Sequence, residues 1–63
     1  MKDLPLQRRR WIADTVRGHG AVTSREVCLR FQVSISTAIR DLDAVSQHLG
    51  HRVRGGLVRD ALG

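Results

Sequence analysis

Apolar positions in this chain recur at helical or strand spacing in short blocks, separated by glycines and small polar residues. Ile12 and Val16 lie four apart and predict the buried stripe of a first helix over about 4–17, with Leu4 or Leu6 extending it. Asp3 stands where an N-cap belongs, and Pro5 falls in the first turn, where its missing N–H is harmless. Gly18 and Gly20 end the helix, because glycine readily takes the left-handed conformation of a C-cap. Ala21-Val22-Thr23 predicts a minimal strand. A second helix over about 24–31 starts at a Thr23-Ser24 cap, with Glu26 at capping-box spacing and Val27, Cys28 and Phe31 on its inner face. Gln32-Val33-Ser34 forms the turn. Ser34 caps a third helix over about 35–48, with Thr37 where the box prefers an acid. Ala38, Leu42 and Val45 point inward, joined by Leu49, and Gly50 stops the helix. His51 to Val58 predicts a strand, a Gly55-Gly56 turn and a second strand, since glycines supply the positive φ that a two-residue hairpin turn demands.

Two short helices joined by a tight turn and followed by a hairpin have the layout of a winged helix-turn-helix. The expected fold is therefore mainly α with a small β-hairpin, three helices forming one domain over 1–63. In 63 residues there is no room for an effector-sensing domain beside it. Regulation is then expected from a partner, from dimerisation, or from the rest of a longer protein.

Charge narrows the function. Lysine and arginine number 11 against 6 acidic residues, a net charge of +5, and every cation but Lys2 is arginine. Guanidinium groups suit phosphates and guanine edges, so the bias favours nucleic acid over a merely soluble surface. Trp11 and Phe31 are the only aromatics, too few for the stacking platforms of a single-strand binder. Trp11 lies about 100° around its helix from Ile12, and so serves either as a lid on the core or as an interface anchor. Cys28, the single cysteine, forms no internal disulfide, which fits a cytoplasmic setting. No apolar run approaches the ~20 residues of a membrane span, and no secretion signal opens the chain. His48 and His51 have ligand-like spacing but no convincing third ligand. No nucleophile stands beside an evident base. No metal, no cofactor and no enzymatic activity are expected.

The candidate contacts to DNA centre on the third helix. Ser36, Thr37, Arg40 and Asp43 are expected to point outward from it, with Ser34 at its start and Ile35 and Ile39 nearby. Arg40 has the reach to grip guanine through O6 and N7; the alternative is a salt bridge to Asp41 or Asp43. Both aspartates would repel phosphate, so they are assigned to orienting arginines or to holding the third helix against the first. Ile35 and Ile39 either meet thymine methyls or cover a protein partner or the core. Ser24 and Arg25 open the second helix, whose N-terminal amides suit a phosphate. Arg9, in the run Arg8 to Arg10, and Arg52 and Arg54 on the wing complete the set. Strand alternation would place Arg52 and Arg54 on one face, opposite Val53.

The chain also resembles the N-terminal DNA-binding domains of the DeoR family and the related winged-helix regulators often fused to WYL sensor domains. The resemblance rests on Arg9 and Ile12, on Gly20-x-Val22-Thr23, on Phe31-x-Val33-Ser34 with Thr37, on Arg40-Asp41-Leu42-Asp43-Ala44-Val45, and on Gly55-Gly56. It implies a third helix that reads the major groove, a wing on flanking backbone, and a dimeric regulator of transcription. The expectation is a sequence-specific binder of double-stranded DNA, a repressor acting as a homodimer without a membrane. The alternative is a winged-helix protein-interaction module, an antirepressor or assembly subunit, that uses Ile35 and Ile39. Gln32 stands where the family has glycine, which predicts a left-handed residue at a cost of roughly 1 kcal/mol. Ala38 stands where a large apolar residue is common, predicting a thin core. Ile39 replaces an arginine or an aromatic. With no sensor domain in these residues, no sugar-phosphate effector carries over.

Overall fold

In the computed structural model, which describes residues 4–60, the chain runs as α1 (Pro5–His19), β1 (Ala21–Thr23), α2 (Ser24–Phe31), α3 (Ile35–Ser46), β2 (His51–Val53) and β3 (Gly56–Val58). All three predicted helices form. α1 begins at Leu4, whose backbone N–H donates to Gln7 Oε1 at 3.2 Å. Asp3, named as its cap, lies outside the described residues. The helix continues through Gly18 and closes at Gly20, which adopts φ 90° and donates its N–H to the Val16 carbonyl at 2.8 Å.

α2 is capped as its sequence requires: the Thr23 hydroxyl accepts from the Glu26 N–H at 3.1 Å. Gln32 ends it in the left-handed region, with φ 55° and ψ 47°. At the start of α3, Ser34 Oγ accepts from the Thr37 N–H at 3.2 Å and donates to the Thr37 hydroxyl at 3.1 Å. The threonine thus fills the place of the missing acid. α3 stops at Ser46 rather than 48, because the Gln47 and His48 amides turn back to the Ala44 and Val45 carbonyls, three residues behind, and tighten the chain out of the helix.

The wing is larger than the predicted hairpin. β1 joins it, giving a three-stranded antiparallel sheet in the order β1-β3-β2. Leu57 pairs with Val22 on one side and Arg52 on the other. The turn is also displaced from its predicted position. Arg54 and Gly55 make it, Gly55 at φ 75°, whereas Gly56 opens β3 opposite both Thr23 and Val53. Arg54 therefore sits in the turn and does not share a strand face with Arg52.

One core gathers Ile12, Val16, Val22, Val27, Ala38, Leu42, Val45 and Leu57 from every element except β2. Leu49 packs against it in part. Leu4 and Leu6, expected to prolong the α1 stripe, are instead exposed at 62% and 77%. The position one turn before Ile12 belongs to Arg8, which is buried, with 8% of its surface exposed. Cys28 and Phe31 flank the α2 face and are only half-buried; Val27 alone of the three is enclosed. Trp11 rests on the core and meets the Phe31 ring edge-on, centroids 5.5 Å apart at 87°. The Arg30 guanidinium lies over Phe31 at 4.9 Å and Trp11 at 5.9 Å, closing this corner with a cation–π contact.

Candidate nucleic-acid interface

The orientation of α3 follows from what it buries. Ala38, Asp41, Leu42 and Val45 face inward, so Ser36, Arg40 and Asp43 lie on the opposite side of a 3.6-residue helix. Ser34, Ile35, Ser36, Ile39 and Arg40 are all exposed, while Thr37 is half-buried. Ile35 and Ile39 keep 51% and 38% of their surfaces open, on the flank of the helix between Arg40 and the core.

Two acidic residues, Asp41 and Asp43, follow Arg40 within one helical turn, and neither pairs with it. Asp41 is 1% exposed and accepts from both Arg8 and Arg9 of α1, the latter at 3.1 Å. Asp43 accepts from Arg52 Nε of β2 at 2.7 Å. Both aspartates orient arginines, as expected of them, but only Asp41 holds the third helix against the first. Asp41 fixes α1 and Asp43 fixes the wing. Among the described residues Arg40 has no ion-pair partner, so its guanidinium is available to a ligand.

The remaining candidates divide by what occupies them. Arg25, on the first turn of α2, and Arg54, at the wing tip, are exposed and unpaired among the described residues. Ser24 is buried, with 8% of its surface exposed. Its N–H and hydroxyl both donate to the Gly55 carbonyl, at 2.9 and 3.3 Å, tying the wing tip to the start of α2. Arg52 is half-buried; besides Asp43 it donates to the Gly56 carbonyl. Arg9 reaches Asp41 yet leaves 43% of its side chain open. Thus Ser24, Arg52 and Arg9 position the surface, while Arg25, Arg40, Arg54 and the α3 hydroxyls present it.

Sequence reasoning did not find the Arg52–Asp43 tether or the burial of Arg8. No local signal marks either, since each partner lies on another element. No three histidine, cysteine, aspartate or glutamate side chains cluster to hold a metal ion among the described residues, nor is any helix there long and apolar enough to cross a membrane.

An outward-facing α3, the short α2 before it ending on a left-handed residue, and a three-stranded wing pinned to both define a winged helix-turn-helix of the DNA-binding class. The DeoR-like helix-turn-helix domain family matches residues 8–61, and the chain belongs to that family. Its members' shared task is DNA binding in transcription regulation, not catalysis. No curated protein and no solved structure gives a significant match.

Proposed function

We propose that the chain is a sequence-specific repressor that binds double-stranded DNA as a homodimer at a two-fold-related site, in the cytoplasm where the nucleoid lies. α3 enters the major groove. Arg40 reads guanine, Ile35 and Ile39 meet thymine methyls, and Ser34, Ser36 and Thr37 bond phosphates or base edges. Arg25 and Arg54 hold backbone on either side of the groove. The observation that carries this reading is Arg40: exposed, and followed within one turn by two aspartates, Asp41 and Asp43, whose charge is already taken by Arg8, Arg9 and Arg52.

Selection of bound sequences from a random duplex pool at physiological salt, with the mass of the complex measured alongside, tests it. The expected result is a pair of inverted half-sites about 10 bp, or a multiple, apart, occupied by two chains. Arg40→Ala should relax one base position by about 1–3 kcal/mol. Equal loss on every sequence would refute the role given to Arg40, and a monomeric complex would refute the dimer. A reporter promoter carrying the selected site should fall in output when the protein is expressed; a rise would overturn repression.

A further inference from the structure

We propose that the groove between α1 and the C-terminal end of α3 docks an acidic amphipathic helix of a partner protein, a role separate from DNA reading. The groove is open and holds about 650 Å³. Its floor is apolar: Leu6 and Ala13 from α1, Val45 and Leu49 from the far side. Leu6 is the most exposed large apolar side chain among the described residues, at 77%. Its rim carries Arg9, Arg10, Arg17 and His48, and no carboxylate lines it.

Leu6, Ala13 and Arg17 lie along one stripe of α1, eleven residues of rise, or about 16 Å. That is the length of three turns of a docked helix with apolar anchors at i, i+3 or i+4, and i+7. Ala13 lets its backbone come close. Arg10 is unpaired among the described residues, and the Arg17–Asp14 contact at 3.8 Å is exposed and weak. Both are open to carboxylates on the flanks of the incoming helix. A second copy fits poorly, because two-fold packing would set Arg10 and Arg17 of each chain against those of the other. Nucleic acid would satisfy the arginines but leave Leu6 and Leu49 against phosphate.

The test titrates the isotope-labelled chain, followed by amide NMR, with two synthetic helical peptides. They share one leucine pattern, flanked by glutamate in one and lysine in the other. At about 0.15 M salt the glutamate peptide should move the amides of Ala13, Ala44 and Leu49, and the lysine peptide should not. Arg10→Glu with Arg17→Glu should weaken the glutamate peptide by about tenfold and transfer preference to the lysine peptide. Should charge reversal unfold the chain, Arg10→Gln with Arg17→Gln must still produce the weakening. Equal response to both peptides, or none, overturns the proposal. Groove shifts on concentrating the chain alone would instead assign the face to a second copy, and shifts on adding random duplex would assign it to DNA; either result overturns the proposal too.

Discussion

At the residue scale, Asp41 carries the largest single electrostatic commitment. Its carboxylate is enclosed and satisfied by two guanidinium groups, one of them nearly buried. Removing one partner of such a group strands the others in low dielectric, so Asp41→Ala should destabilise by about 3–5 kcal/mol in urea unfolding. A domain of 63 residues has about 3–9 kcal/mol in total, so this variant approaches unfolding. Asp43→Ala, at an exposed ion pair, should stay within about 1 kcal/mol. Similar losses for both would show that burial does not govern the Asp41 cluster. Gln32 holds φ 55° without a glycine. Gln32→Gly removes that strain at some cost in chain entropy, for a net gain of roughly 0.5–1 kcal/mol. Thermal unfolding should then rise by about 2–8 °C, and a fall would refute the strain.

At the element scale, the two adjacent glycines of the wing do different work. A Cβ on Gly56 would lie 2.7 Å from the Val22 carbonyl oxygen, so β1 and β3 would have to separate. Gly55 meets nothing within 4 Å and needs only its positive φ. Gly56→Ala should therefore cost about 1–3 kcal/mol and loosen β1 from β3. Gly55→Ala should cost about 1–2 kcal/mol and leave the sheet paired. Hydrogen exchange of the Val22 and Leu57 amides distinguishes the two outcomes; equal protection in both variants would contradict the close approach. The same measurement separates the wing arginines. Arg52→Ala removes the tether to Asp43 and should speed exchange across β2 and β3, whereas Arg54→Ala, whose side chain is unpaired among the described residues, should not.

For the whole molecule, charge determines how binding responds to salt. On the proposed homodimer, Arg25 and Arg54 of each protomer would make four phosphate contacts, which predicts a slope of log affinity against log salt near −3.6, at about −0.9 per phosphate. Arg54→Ala on both protomers should make the slope shallower by about 2 while weakening all sequences alike. An unchanged slope would remove the wing tip from the backbone-contact set. Arg40→Ala should alter base preference more than slope, because a base-edge contact releases fewer counterions than a phosphate contact.

What the sequence determined by itself was whatever depends on neighbours a turn or so away. The three helices and the Thr23 and Ser34 caps follow from spacings of three or four residues, the range over which capping and helical periodicity act, while the left-handed Gln32 was expected from the family resemblance, which has glycine there. The outward face of α3 follows the same way from Ala38, Leu42 and Val45. Only the tertiary structure decided that Arg8, not a leucine, completes the buried row of α1, because the carboxylate that makes its burial tolerable stands 33 residues away. It likewise decided that β1 enlarges the hairpin into a sheet, that the turn falls at Arg54-Gly55 so Gly56 can sit against Val22, and that Arg52 turns inward to Asp43. Which arginines stay free for DNA depends on how α1 and the wing pack onto α3, and that packing brings together groups too distant in the chain for any local pattern to pair.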